Sequence, residues 1–248
     1  ARHARVRAPR QRARHCIVRV SLALVLASVL SAQEVTPQRL VDAGKEPHNW
    51  LSYARTYDAW RYSPLDQIHR ANIRRLAPVW SFQTGDVEGG FQCTPLVADG
   101  VMYITSSWNR VFALDAATGR KLWHYYYPKP KQIASAYAPW NRGVALGHGL
   151  VFMGTLDNHL VALDAKTGRE VWNVDVEDVA QCGCNITGAP LVVKDKVIVG
   201  VTGGDAAHRG YINAFDVKTG KQVWRFWTIP GRGEPGHETW SGESWKYG

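Results

Sequence analysis

The chain has 248 residues, 45% of them hydrophobic and 11% aromatic, which supplies the apolar surface of a folded core and excludes an intrinsically disordered chain. Its formal charge of +9 does not point to nucleic acid. Residues 1–32 hold seven Arg and no Lys, Asp or Glu; of the 30 basic residues 23 then remain, against 21 acidic ones, so no basic patch for gripping phosphates marks the body of the chain.

Arg2, Arg5, Arg7, Arg10, Arg12, Arg14 and Arg19 lead into an apolar run, Val20 to Leu30, and then the small residues Ser31 and Ala32. That order is the order of a secretory signal peptide, with cleavage expected near Ala32 and a periplasmic or otherwise exported destination. The run is too short to span a bilayer comfortably, so no stable membrane insertion is expected. Cys16 precedes the run, whereas a lipidated cysteine would follow it. Beyond the leader only Cys93, Cys182 and Cys184 remain, an odd number that cannot make the disulfide framework of a small secreted domain. Cys182-Gly183-Cys184 reads as a local disulfide, two buried thiols or, less favoured, half of a soft-metal site, for which no second Cys or His pair stands at a useful spacing.

Further along, three segments repeat the pattern A-x-D-x-x-T-G-x-x-x-W, ending at Trp123, Trp172 and Trp224; a degenerate copy ends at Trp80. Each reads as a hairpin: an alternating strand, a D-x-x-T-G turn and a second alternating strand ending in a large aromatic side chain. Gly supplies the positive φ of the turn, Asp caps its N–H groups, and Trp packs between neighbouring units. A further strand pair precedes each hairpin, with Asp99-Gly100 as a hairpin-turn signal. Four strands per repeat at a spacing near 50 residues predict an all-β fold, a β-propeller, with about four units in this chain. Gly231 to Gly236 fits G-x-G-x-x-G but opens no helix after a strand, so it is read as a loop. His237-Glu238 lacks the second His of a zinc-protease helix, and Asn185-Ile186-Thr187 fits a glycosylation sequon.

Taken with these repeats, Asn141-Arg142-Gly143, Thr187-Gly188-Ala189-Pro190, Thr202-Gly203-Gly204-Asp205, Trp50 to Leu65 and Glu234 to Trp240 resemble the methanol/ethanol-type quinoprotein alcohol dehydrogenases. The resemblance implies an eight-bladed propeller, of which residues 33–248 would form about the first four blades as the N-terminal part. It implies oxidation of a small-molecule alcohol by hydride transfer to pyrroloquinoline quinone, with calcium or a lanthanide as Lewis acid and a cytochrome c-type electron acceptor. The quinone contacts would be Gln92, Arg142, Thr187, Thr202, Gly203 and Gly204, and the metal ligand Asp205, where the family usually has glutamate. Gln92 also stands in for a glutamate, and Ala136-Tyr137 replaces the family's adjacent cysteines, Tyr137 offering a flat surface instead. No catalytic residue is assigned, since the family's stacking Trp, metal-binding Asn and general-base Asp lie in later blades; the chain by itself is expected to be inactive. The competing expectation is a non-enzymatic propeller scaffold of the bacterial envelope that binds other proteins.

Overall fold

The computed structural model describes residues 34–85, 88–131, 139–204 and 208–247. The leader, Ala136, Tyr137 and Asp205 lie outside them. After a short helix α1 (Pro37–Val41), twelve strands form three four-stranded antiparallel sheets in meander order. The first holds β1 (Leu96–Ala98), β2 (Val101–Ser106), β3 (Arg110–Asp115) and β4 (Lys121–Tyr126). The second holds β5 (Ala145–Gly147), β6 (Leu150–Gly154), β7 (His159–Asp164) and β8 (Glu170–Asp175). A second short helix, α2 (Val179–Cys182), leads to the third: β9 (Leu191–Val193), β10 (Lys196–Gly200), β11 (Tyr211–Asp216) and β12 (Gln222–Trp227). This is the predicted blade architecture. The count differs from the expected four units, because among the described residues the degenerate copy around Trp80 forms no strand.

Every blade carries the same local chemistry. Asp115 Oδ1 accepts hydrogen bonds from the amides of Ala117 and Thr118, and Asp164 and Asp216 do the same in their own turns. A β-bulge recurs in each outer hairpin, between Ala113 and Leu114, Ala162 and Leu163, and Ala214 and Phe215. The extra residues opposite, Leu122, Val171 and Val223, face solvent at 39%, 48% and 49% exposure. The simple alternation expected for this strand therefore fails at one position per blade; the bulge leaves one residue unpaired, puts two successive residues on the solvent side and turns the following Trp back toward the next blade.

Neighbouring blades are joined by those tryptophans. Trp80, Trp123 and Trp172 donate through Nε1 to the carbonyls of Ala116, Ala165 and Val217, at 3.1, 3.0 and 3.0 Å. Each ring lies over the glycine of the next T-G turn. A Cβ on Gly168, whose φ is +71°, would stand 2.5 Å from the Trp123 ring, so both the backbone conformation and the close approach demand glycine there. Trp80 thus docks on the first blade as its counterparts dock on the second and third, although it belongs to no strand. The core runs without interruption between blades, from Leu96, Tyr103 and Val111 through Phe152 and Val161 to Val197 and Phe215.

Candidate functional site

The first strands of the second and third blades approach one another, β5 lying against β9, which places first strands at the inner edge of the array. The segment leading into each first strand carries the residues of interest. The Thr94 amide donates to the Arg142 carbonyl at 3.1 Å, and the Arg142 amide donates to the Thr187 carbonyl at 2.9 Å. Residues 92–94, 141–143 and 185–187 are thereby bonded in series across three blades. Gly143 makes that series possible: with φ +130°, an added Cβ would come within 3.2 Å of the Thr94 carbonyl oxygen.

Of the predicted contacts, Arg142 and Thr187 meet directly, with Nη1 donating to Oγ1 at 2.5 Å. Among the described residues no carboxylate lies within ion-pair distance of Arg142. The half-buried guanidinium keeps most of its planar donor fork for a ligand. Thr202 is already engaged: its hydroxyl donates to Asn185 Oδ1 at 2.7 Å and accepts from the Asn185 amide at 3.1 Å. It positions the Asn185–Thr187 segment instead of offering a free hydroxyl. Gly203 is buried, with φ +117° and the His208 side chain against it, whereas Gly204 is exposed with open space where a Cβ would stand. Gln92 is exposed, two residues before Thr94. These positions fit an anionic, multi-acceptor ligand near Arg142. Asp205 falls outside the described residues; among those described, no group of three or more His, Cys, Asp or Glu could hold a metal ion.

The buried asparagines of the leading segments matter more than the sequence made visible. Asn141 Nδ2 donates to the Gly154 carbonyl at 3.0 Å while its Oδ1 accepts from the Gly143 amide at 3.0 Å, fixing the backbone on both sides of Arg142. Asn185, fully buried, has no surface to present to a glycosylating enzyme, so the sequon is structural. Each stands just ahead of a predicted contact residue, and that offset was the signal available. The Cys182–Gly183–Cys184 alternatives resolve to a disulfide. Cys93 Sγ accepts from the Thr105 amide at 3.1 Å, and burial pushes its thiol above the ordinary value. Burial likewise holds the His208 imidazole below its ordinary value.

Residues 50–248 match the sequence profile of the glucose/ethanol/alcohol dehydrogenase β-propeller domain that uses pyrroloquinoline quinone (PQQ). The chain belongs to this quinoprotein family. It is 41% identical over 219 residues to the quinohemoprotein alcohol dehydrogenase ADH-IIG of Pseudomonas putida, covering 86% of this chain and 30% of that protein. Over 258 residues it is 38% identical to subunit 1 of the cytochrome c methanol dehydrogenase of Methylobacterium organophilum, covering 92% and 40%. Among solved structures it resembles a europium-containing methanol dehydrogenase, with TM-score 0.78 and 38% identity over 85% of this chain and 40% of that one. The quinoprotein chain described here therefore spans about a third of the length of such relatives.

Proposed function

We propose that this chain supplies one wall of the cofactor site of an exported PQQ-dependent alcohol dehydrogenase. The observation that carries the reading is the Arg142–Thr187 pair, set where the leading segments of three blades are bonded in series, its guanidinium without a carboxylate partner among the described residues. When bound, the quinone supplies the hydride acceptor for alcohol oxidation, and a calcium-type or lanthanide ion supplies Lewis acidity. Arg142 would hold the quinone's acceptor atoms with a planar, cationic fork of donors. Thr187 fixes the orientation of that fork. Asn141 and Thr202 keep the two backbones from sliding, so the donors are aligned before the ligand arrives. Asp205 offers carboxylate oxygen to the metal ion, a choice that suits a hard cation. The related europium-containing methanol dehydrogenase supports a lanthanide as an alternative to calcium. A cytochrome c-type acceptor fits the subunit naming of the methanol dehydrogenase relative.

The test uses the full-length enzyme. Arg142→Gln should weaken PQQ binding by about 10- to 100-fold in a calorimetric titration, the range for losing a charge-assisted hydrogen bond, with little change in unfolding temperature. Unchanged affinity would sink the assignment. Asp205→Ala should abolish metal-dependent activity while the propeller stays folded; metal affinity equal to that of the parent would reduce Asp205 to a turn residue.

A further inference from the structure

We propose that the Cys182–Cys184 disulfide is a positioning element that aligns Thr187 for the cofactor. The inference rests on the reading of Arg142 and Thr187 as cofactor contacts. The bridge closes over a single residue, Gly183, whose left-handed φ of +59° turns the chain out of α2 and into the Asn185–Thr187 segment. That helix has only four residues, and a helix so short has little stability of its own. Something else must fix where it ends. The bridge is buried, Cys184 completely, and it is seated against the turn between β6 and β7 of the second blade: Asn158 Nδ2 donates to Cys184 Sγ at 3.4 Å and to the Glu177 carbonyl at 2.9 Å.

Immediately beyond the bridge, three consecutive residues are each tied to a different element. The Asn185 amide donates to Thr202 Oγ1, the Ile186 amide to the Thr155 carbonyl at 3.0 Å, and the Thr187 carbonyl accepts from the Arg142 amide. A rotation of the chain at residue 184 strains these ties and reaches the Thr187 hydroxyl, and with it the Arg142 fork, within three peptide units. A disulfide at this place removes that freedom. Opening it breaks the Sγ–Sγ bond and gives two thiols; a phosphine reductant is oxidised to its oxide, with the oxygen and the two protons taken from water.

A double-mutant cycle on the full-length enzyme tests the proposal, reading the PQQ dissociation constant by calorimetry well below the unfolding temperature. Cys182→Ala/Cys184→Ala should weaken binding about tenfold, Thr187→Val should weaken it comparably, and the combined variant should be no weaker than Thr187→Val alone. A bridge that only stabilises the fold would lower the unfolding temperature and leave the dissociation constant alone. If Thr187→Val weakens binding but the cysteine variant does not, or if the two effects multiply in full, the proposal falls and the site reading stands. If Thr187→Val itself binds like the parent, both fall. Should the cysteine variant not fold, hydrogen exchange on the cofactor-free parent before and after phosphine reduction decides the matter. Faster exchange at the Asn185, Ile186 and Arg142 amides, with β7 unchanged, supports the proposal; unchanged exchange there overturns it.

Discussion

The D-x-x-T-G turn concentrates its chemistry in one carboxylate per blade. Asp115, Asp164 and Asp216 each accept two turn amides, and hydrogen bonds from the following Thr, led by its side chain, hold each carboxyl below the usual range. Because the folded-state pKa lies below the unfolded value near 3.9, the contribution is present above about pH 4 and is lost as pH falls through the folded pKa. Denaturant midpoints should therefore drop as the pH is lowered from about 5 to 2. Replacing all three Asp by Asn should flatten that dependence, since an amide keeps an acceptor oxygen but does not titrate there.

Among the elements, the segment from α1 to the following one-turn helix at Ala43–Lys45 is held to the first blade by one cation. Arg39 donates to Glu46 at 2.6 Å and to both oxygens of Asp99 at 2.9 Å, and Asn49 donates to Glu46 at 2.7 Å. Asp99 belongs to the tight turn between β1 and β2, where it and Gly100 both have positive φ. All three charged groups are partly buried, so removing the cation leaves two carboxylates facing each other in a partly desolvated site. Arg39→Met should cost about 1–2 kcal/mol in chemical denaturation, and Arg39→Lys should recover little of it because a single ammonium cannot span both carboxylates in parallel. Limited proteolysis should show the loss first as cleavage between residues 34 and 56.

Across the whole molecule, one repeat position meets two environments. Trp123 is 9% exposed, enclosed between the first and second blades, whereas Trp224, at the equivalent place in the third, is 42% exposed beside Phe226 at 63%. In the 248-residue chain Trp123→Ala should therefore cost about 3–5 kcal/mol, the range for emptying a buried Trp site, and Trp224→Ala well under half of that. Equal losses in urea denaturation would mean that a second copy of the chain covers Trp224. Among the described residues no helix is long and apolar enough to cross a membrane.

The amino-acid sequence determined the blade on its own, because each repeat carries its instructions locally: Asp to cap, Gly for positive φ, and Trp to reach the next unit. It likewise singled out Arg142 and Thr187, since the segments around them resemble the family closely. Tertiary structure alone decided which candidates meet. Thr202 reads like Thr187 in sequence, yet its hydroxyl is consumed by Asn185, a partner 17 residues away that no local pattern announces. The state of Cys182 and Cys184 was open for the same reason: bridge, thiols and half-site share one sequence, and only the turn at Gly183 brings the sulfurs together. Trp80 belongs to a degenerate copy that forms no strand among the described residues, yet its ring still docks on Gly119, because docking requires one indole and one bare backbone turn, not a complete hairpin.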